Sequence, residues 1–76
     1  PVVLTFKEFE LLAYLMKNKN IVLTRDKILD VIWNYEYEGE SITVDVHIGS
    51  LRQKLGSCGN MIRTVRGVGY KLEEQP

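Results

Sequence analysis

The 76-residue sequence contains only one cysteine, Cys58, so it cannot form an internal disulfide. A single thiol fits a reducing compartment, and we interpret Cys58 as an incidental thiol in a turn. The sequence also lacks an apolar run long enough to cross a membrane. Its first residues, PVVLTFKEF, have neither the basic lead nor the apolar core of a signal peptide. We therefore expect a cytoplasmic protein with no membrane partner.

The chain also lacks net charge, because ten basic residues balance ten acidic ones. The two signs are, however, unevenly placed along the chain. Residues 1–40 hold five basic and seven acidic side chains, a net charge of −2, whereas residues 41–72 hold five basic side chains against Asp45 alone, a net charge of +4. An anionic partner responds to the local field, so a total of zero does not exclude nucleic acid.

Patterns that carry catalysis or bind a metal are missing as well. Asp45 and His47 are two residues apart on a predicted helix, so their side chains do not face each other. Cys58 has no base near it in the sequence, and no spacing of ligand residues fits a metal. The GVG at 67–69 resembles part of a nucleotide-binding loop, but the third glycine is absent and a strand follows. We predict neither an enzyme nor a cofactor, metal or catalytic site.

The first half of the chain predicts short elements within one small domain. VVL at 2–4 is a candidate strand, and because it begins so near the first residue we expect a piece of a longer protein. Thr5 and Glu8 form a capping box that opens a helix. The apolar residues of this helix recur at helical spacing: Phe6, Phe9, Leu12, Ala13 and Met16. IVL at 21–23 predicts a strand, and Thr24 caps a second helix over 25–33, with an apolar stripe of Ile28, Leu29, Ile32 and Trp33.

The second half predicts a third helix and a hairpin. A polar, acidic loop at 34–41 leads into TVDVHIGSLRQKL, residues 43–55, which has helical apolar spacing, and Gly56 is the expected left-handed terminator. IRTV and YKL flank the glycine-containing RGVG and predict a β-hairpin. The order of elements therefore predicts an α+β fold.

The third helix has an unusual outward face. At about 100° per residue, Val44, Ile48, Leu51 and Leu55 form the side that packs. The opposite side is small, apolar or neutral and holds Ile42, Val46, Gly49 and Gln53, with Ser50 beside them. Thr43, His47 and Lys54 lie on one flank and Asp45 and Arg52 on the other. A solvated face normally carries charged residues, and glycine within a helix costs roughly 1 kcal/mol relative to alanine.

Two interpretations of this face stay open from geometry alone. In one, the helix enters the DNA major groove: Ile42 and Val46 touch thymine methyl groups, Ser50 and Gln53 bond base edges, and Gly49 allows close approach. Arg52 and Lys54 would then meet phosphates, unless Arg52 pairs with Asp45 or another acid. In the other, the helix is buried on both sides, against another subunit or a missing domain.

The hairpin favours DNA. Arg66 precedes Gly67 at the expected tip, where its side chain projects freely, and a basic tip beside a helix is typical of a wing that reaches the minor groove or the phosphates. Arg63, Thr64 and Lys71 extend this into a predicted phosphate-facing patch, although such residues are also common on solvated strands.

Four blocks in this order, LTFKEFELLAYL, LTRDKILDVIW, TVDVHIGSLRQKL and IRTVRGVGYKL, resemble the OmpR/PhoB family of bacterial two-component response regulators. The resemblance runs from about Leu4 to Leu72. It implies a winged helix-turn-helix effector domain over residues 1–76, with three helices, a small antiparallel sheet and a C-terminal hairpin wing. Family members bind double-stranded DNA in pairs, under the control of a phosphorylated receiver domain, and open with a four-stranded sheet of which VVL resembles only the last strand.

The resemblance also implies roles for individual residues. It supports Thr43, His47, Arg52 and Lys54 as backbone or groove-edge contacts, Thr64 and Arg66 with the neighbouring Arg63 and Gly67 as wing contacts, and Val46 as a reader of thymine methyl groups. Asp45 is expected to anchor Arg52 or the wing. The loop with Tyr35, Glu36, Tyr37 and Glu38 lies where some members touch RNA polymerase, although an ordinary solvated loop fits equally.

The sequence departs from the family where many members place arginines, because it has Ile42, Gly49 and Ser50 there. This departure and the neutral total charge support an alternative function, a winged-helix protein-interaction module that has weak or no DNA binding.

Overall fold

The computed structural model describes residues 2–34 and 39–74, and these form three helices and a three-stranded antiparallel sheet. The predicted α+β fold is confirmed. In chain order the elements are α1 (Phe6–Lys17), β1 (Leu23–Thr24), α2 (Arg25–Trp33), α3 (Ile42–Leu55), a 3-10 helix (Gly56–Met61), β2 (Ile62–Val65) and β3 (Gly69–Leu72).

The capping box at the start of α1 is confirmed. The Thr5 backbone N–H donates to Glu8 Oε1 at 2.8 Å, and the Glu8 backbone N–H donates to Thr5 Oγ1 at 3.1 Å. Each bond satisfies a backbone donor that has no partner within the first turn of a helix.

The buried face of α1 is not the apolar stripe that the sequence suggests. The buried residues are Glu8, Leu11 and Leu15, whereas Phe6 and Phe9 are 73% and 60% exposed. At helical spacing these two sets lie on opposite sides of the helix. Helices α2 and α3 pack on α1, and of the predicted stripe only Leu12 packs against the core, while Phe6 and Phe9 face away from it.

The prediction of a strand at 2–4 is wrong, as far as the described residues show. Residues 2–5 have no regular structure, and Val3 is 81% exposed. A strand needs a hydrogen-bonding neighbour, and the described sheet consists of β1, β3 and β2 in that order. The strand expected at 21–23 begins later, at Leu23, because Ile21 N–H donates to Asn18 O in a turn after α1.

The second helix agrees with its prediction in extent and cap. It spans Arg25–Trp33, and the Thr24 hydroxyl accepts from the Lys27 backbone N–H at 3.1 Å. Ile28 and Ile32 are buried, and Leu29 and Trp33 pack against the core.

The core is an apolar cluster between the three helices and the sheet. Helix α3 contributes Val44, Ile48 and Leu51, all fully buried, while Leu55 is half-buried at its end. The packing side predicted for α3 is therefore confirmed. Burial of each such aliphatic side chain stabilises the fold by about 1.5–3 kcal/mol, so α3 is held firmly by one side.

Helix α3 ends at Gly56 as predicted, and its φ of 60° is positive, but its ψ of −129° differs from that of the expected left-handed conformation. The chain then forms the 3-10 helix Gly56–Met61, where the sequence predicts only a turn, and Cys58 is exposed there.

The predicted hairpin is confirmed, with β2 and β3 in antiparallel register from Ile62↔Leu72 to Val65↔Gly69. Strand β1 adds to the other edge of β3 with Leu23 opposite Tyr70. Gly69 permits this approach, because a Cβ there would lie only 2.0 Å from the Leu23 carbonyl oxygen.

We expect Gly69→Ala to destabilise the protein by about 3 kcal/mol or more, because the added methyl group must displace the β1 backbone. Gly49→Ala is the matched control: nothing lies within 4 Å of a Cβ at Gly49, so alanine should stabilise α3 by up to about 1 kcal/mol. Urea denaturation gives both free energies of unfolding. Equal stability of Gly69→Ala and the parent protein would contradict the close packing of β1.

Candidate nucleic-acid interface

The outward face of α3 is open to solvent, as the helical spacing predicts. Ile42 and Val46 are 58% and 63% exposed, Gln53 is exposed, and Gly49 has nothing within 4 Å of where a Cβ would lie. Within residues 2–34 and 39–74 no element covers this face. The result is a surface of apolar and neutral groups that a flat partner can approach closely.

Ser50 and Lys54, both predicted DNA contacts, are bonded to Glu8 of α1. The Ser50 hydroxyl donates to Glu8 Oε2 at 2.5 Å, and Lys54 Nζ donates to Glu8 Oε1 at 2.7 Å. Glu8 is only 3% exposed. The Lys54 ammonium, then the Ser50 hydroxyl and the Thr5 backbone N–H, lower the pKa of Glu8 to about 2.

Sequence reasoning used Glu8 only as a capping residue and missed this second role. The tertiary structure was needed to find it, because Glu8 lies one turn before Leu11 and two turns before Leu15, on a side of α1 that the sequence did not identify as the packing side. A carboxylate in an apolar stripe requires a cationic or hydrogen-bonding partner on the element packed against it.

His47 and Thr43 lie half-buried along the same flank of α3. His47 Nδ1 and the Thr43 carbonyl oxygen are 2.9 Å apart, and since the carbonyl only accepts, Nδ1 carries the hydrogen. The His47 and Trp33 rings form an edge-to-face pair, with the centroids 4.8 Å apart and the planes at 74°. Both residues therefore lie at the rim of the open face.

Arg52 joins α3 to the hairpin. Its Nε and Nη2 donate to the Ile62 carbonyl oxygen at 3.0 and 2.6 Å, and Nη2 also donates to Thr64 Oγ1 at 2.8 Å. The guanidinium carbon lies 5.5 Å from the centroid of the Tyr70 ring. The pairing of Arg52 with Asp45 that the sequence suggested does not occur, because the guanidinium is held by the hairpin.

Asp45 makes a second link between α3 and the hairpin, which agrees with its expected role as an anchor of the wing. Its Oδ1 accepts from the Tyr70 hydroxyl at 2.6 Å, and its Oδ2 accepts from Nη2 of Arg25, the first residue of α2. Burial, and then the hydrogen bond to Asp45, raise the pKa of Tyr70 to about 12. One carboxylate thus connects α2, α3 and β3.

The hairpin tip carries one outward cation. The turn is formed by residues 66–68, closed by a bond from Val68 N–H to the Val65 carbonyl oxygen at 2.9 Å, and Gly67 has a φ of 77°. Arg66 is exposed, and its guanidinium has no hydrogen bond or ion pair with any residue that the structure describes.

The phosphate-facing patch predicted for the hairpin is divided between its two faces. Thr64 lies on the α3 side with Arg52, whereas the adjacent Arg63 points to the other side and stands opposite Lys71. There Glu73 contacts Lys71 at 2.9 Å and Arg63 at 3.8 Å, and chiefly Lys71 holds the pKa of Glu73 below its usual range. Only the Thr64 side of the patch accompanies α3.

Two further expectations concern partners and ions. The loop with Tyr35, Glu36, Tyr37 and Glu38, predicted to touch RNA polymerase, lies outside the described residues. Across residues 2–34 and 39–74, no three histidine, cysteine, aspartate or glutamate side chains are grouped so as to hold a metal ion. Over the same ranges, no helix is both long and apolar enough to cross a membrane.

Comparison with known proteins places the chain in a family. Residues 1–72 match the family described as "Transcriptional regulatory protein, C terminal". The chain is 53% identical over 74 residues to the alkaline phosphatase synthesis transcriptional regulatory protein PhoP of Bacillus subtilis. That match covers 93% of this chain but only 31% of PhoP, so the chain spans about a third of the length of this curated relative.

Two solved structures have folds similar to that of this chain. The DNA-binding domain of RstA from Klebsiella pneumoniae, in complex with the RstA box, has a TM-score of 0.81 and 32% identity, and the match covers 95% of this chain and 74% of that one. The response regulator DrrB of Thermotoga maritima, described as an OmpR/PhoB homolog, has a TM-score of 0.84 and 33% identity. This match covers 96% of this chain and 34% of DrrB.

The Tyr70–Asp45 bond predicts a loss of stability at alkaline pH. The pKa of Tyr70 is raised from 10.0 to about 12, so its stabilisation is fully present below pH 10 and is lost as the pH rises from 10 towards 12. At pH 8, we expect Tyr70→Phe to lower the free energy of unfolding by about 1 kcal/mol. The difference between the two proteins, measured by urea denaturation, should shrink at pH 11. An unchanged difference at pH 11 would rule out Tyr70 as the titrating donor.

Proposed function

This chain belongs to the family of C-terminal domains of transcriptional regulatory proteins, the winged-helix effector domains of OmpR/PhoB response regulators, and we propose that it binds double-stranded DNA in a sequence-specific manner. In this proposal α3 enters the major groove and the β2–β3 turn reaches the minor groove or the phosphates beside it. The alternative, a protein-interaction module without DNA binding, is not favoured, since a similar domain is solved on its DNA box.

The observation that carries the proposal is the exposed outward face of α3 with the wing fixed beside it. Apolar Ile42 and Val46 fit thymine methyl groups, and the exposed Gln53 amide fits the donor and acceptor of an adenine edge. Gly49 keeps the backbone close to the bases. The links of Arg52 and Asp45 to the hairpin hold the wing at a fixed distance from this face.

Phosphate contacts are assigned to the rim of the face. Thr43 and His47 lie along one flank of α3, while Thr64, Arg66 and Gly67 lie on the hairpin. Arg52 and Lys54 are occupied by partners within the protein, and Arg63 lies on the far side of the hairpin. With so few free cations, we propose about 3–5 phosphate contacts per domain and a log K that falls by about 0.9 per contact with log salt concentration.

Such a small number of contacts supports binding as a pair of domains. We propose that a second copy shares the DNA and that a receiver domain in the full-length protein controls the pairing. The chain spans 31% of PhoP, which leaves room for such a domain in the relatives. The proposal places the protein in the cytoplasm with the DNA, assigns RNA polymerase to the loop 35–38, and assigns no catalytic step to this chain.

Selection of bound sites from a random double-stranded DNA pool tests the proposal directly. We expect enrichment of one half-site, repeated at a fixed spacing when two domains bind. Absence of any enriched sequence at low salt, and absence of a mobility shift with the enriched pool, would reject DNA binding and support the interaction module.

We expect Arg66→Ala to weaken DNA binding by roughly tenfold for all sequences and to reduce the salt slope by about 0.9, because one phosphate or minor-groove contact is lost. Lys19→Ala is the matched control, since Lys19 pairs with Glu74 at the end of β3 far from the turn. Fluorescence anisotropy titrations at several salt concentrations measure both. If Arg66→Ala and Lys19→Ala have the same salt slope, Arg66 does not contact the DNA and the wing is not part of the interface.

Ile42→Ala and Val46→Ala should each change the preference at one thymine, with a loss of about 1 kcal/mol at that base pair, because a methyl contact is removed. Ile21→Ala is a close control, since Ile21 is 55% exposed and Ile42 58% exposed, but Ile21 lies in the turn before β1. Competition against sites carrying uracil for thymine identifies the methyl group. If the variants and the control discriminate equally between uracil and thymine, these side chains do not read it.

A further inference from the structure

Glu8 of α1 is the one buried acid among the described residues, and it lies against the flank of α3 beside the open face. Its two carboxylate oxygens hold Lys54 Nζ, the Ser50 hydroxyl and the Thr5 backbone N–H. Ser50 and Lys54 are one turn apart on α3, so a single carboxylate on the neighbouring helix binds two successive turns.

The chemistry of this contact fixes what Ser50 offers to solvent. An ionised carboxylate only accepts hydrogen bonds, so the Ser50 hydroxyl donates its one proton to Glu8. The low pKa of Glu8, about 2, keeps the carboxylate ionised at neutral pH. What remains on the Ser50 oxygen is acceptor capacity alone.

The same contact fixes the position of the Lys54 charge. Its ammonium lies 2.7 Å from a carboxylate oxygen whose side chain is 4% exposed, so the two charges largely neutralise each other. Release of the ammonium to a phosphate would leave the Glu8 charge buried without a cation, which is strongly unfavourable.

Resting on the DNA binding proposed above, we propose that Glu8 is a positioning residue that sets the base preference of α3: it turns Ser50 into a hydrogen-bond acceptor and keeps Lys54 off the phosphates. In the major groove the donors are the exocyclic amino groups of adenine and cytosine, whereas guanine offers only acceptors and thymine an acceptor and a methyl group. Ser50 therefore recognises an amino-bearing base, adenine or cytosine.

The effect of Glu8 on the Lys54 charge is tested by measuring binding to the enriched DNA site at several salt concentrations. Four proteins are compared: the parent, Glu8→Gln, Lys54→Met and the double variant. We expect Lys54→Met to leave the salt slope unchanged. Glu8→Gln frees the ammonium and should steepen the slope by about 0.9, one phosphate contact, and Lys54→Met in that background should restore the parent slope. A flattening of the slope by Lys54→Met in the parent, or a parent-like slope for Glu8→Gln, overturns the proposal.

The double variant keeps this test decisive if a single variant does not fold. It removes both charges together, so no unpaired ion remains buried, and thermal unfolding verifies its folded state. A salt slope equal to the parent's supports the proposal. A slope smaller by about 0.9 shows that Lys54 contacts a phosphate and overturns it.

The effect of Glu8 on the Ser50 hydroxyl is tested by the base preference that each protein shows in selections from a random DNA pool. We expect the parent to prefer adenine or cytosine at one base position, Ser50→Ala to lose that preference by roughly 2- to 10-fold, and Glu8→Gln, whose amide can donate to Ser50, to shift it towards guanine or thymine. All other positions should keep the parent preference, which a general loss of folding would not produce. The role of Glu8 is refuted if the parent prefers guanine or thymine at this position and Ser50→Ala loses that preference. It is also refuted if both variants keep the base preferences of the parent.

These outcomes are separable from failure of the proposed function. If the parent protein enriches no site, DNA binding itself is rejected, and this inference with it. If the parent enriches a site and the variants behave like the parent, only the role of Glu8 is rejected.

Discussion

The rotation of helix α3 about its own axis is the constraint on which the rest of the interface depends. Val44, Ile48 and Leu51 are fully buried on one side of the helix, and a helix packed by one stripe presents the opposite stripe outward. A small rotation would move Ile42 and Val46 towards the core edge and bring charged flank residues to the front. Glu8 on one flank and the hairpin on the other resist such a rotation through hydrogen bonds to both sides of the helix.

The polar links around α3 also decide which charges are available to an anionic partner. Arg25, Arg52 and Lys54 each have a partner inside the protein, and these partners belong to α3, the hairpin and α1 respectively. Arg66 at the hairpin tip is left outward. Of the basic residues in 41–72, Arg52 and Lys54 therefore join α3 to the hairpin and to α1, while Arg63 and Lys71 contact Glu73. The face between helix and wing is neutral. In the DNA binding that we propose, selectivity therefore derives from shape, methyl contacts and single hydrogen bonds more than from charge.

The departures from the family pattern agree with this picture. The resemblance to the family implies arginines at the positions where this chain has Ile42, Gly49 and Ser50. The fold does not require glycine at position 49, since its helical backbone is ordinary and the space outside it is empty. At Gly69, by contrast, the neighbouring strand excludes any side chain. The two glycines look alike in the sequence, yet only one is explained by packing, and the other is explained by the partner that we propose.

The sequence by itself determined the succession of helices and the hairpin, the caps at Thr5 and Thr24, the packing side of α3 and the exposed tip at Arg66. These features depend on local spacing and local hydrogen bonds, which residues a few positions apart report directly. The tertiary structure alone decided which side of α1 is buried, that residues 2–4 form no strand with the described sheet, and which partners bind Ser50, Arg52, Lys54 and Asp45. Glu8 and Ser50 are 42 residues apart, and Asp45 and Tyr70 are 25 apart. Contacts at such separations exist only once the helices and the sheet have packed, so no local pattern specifies them.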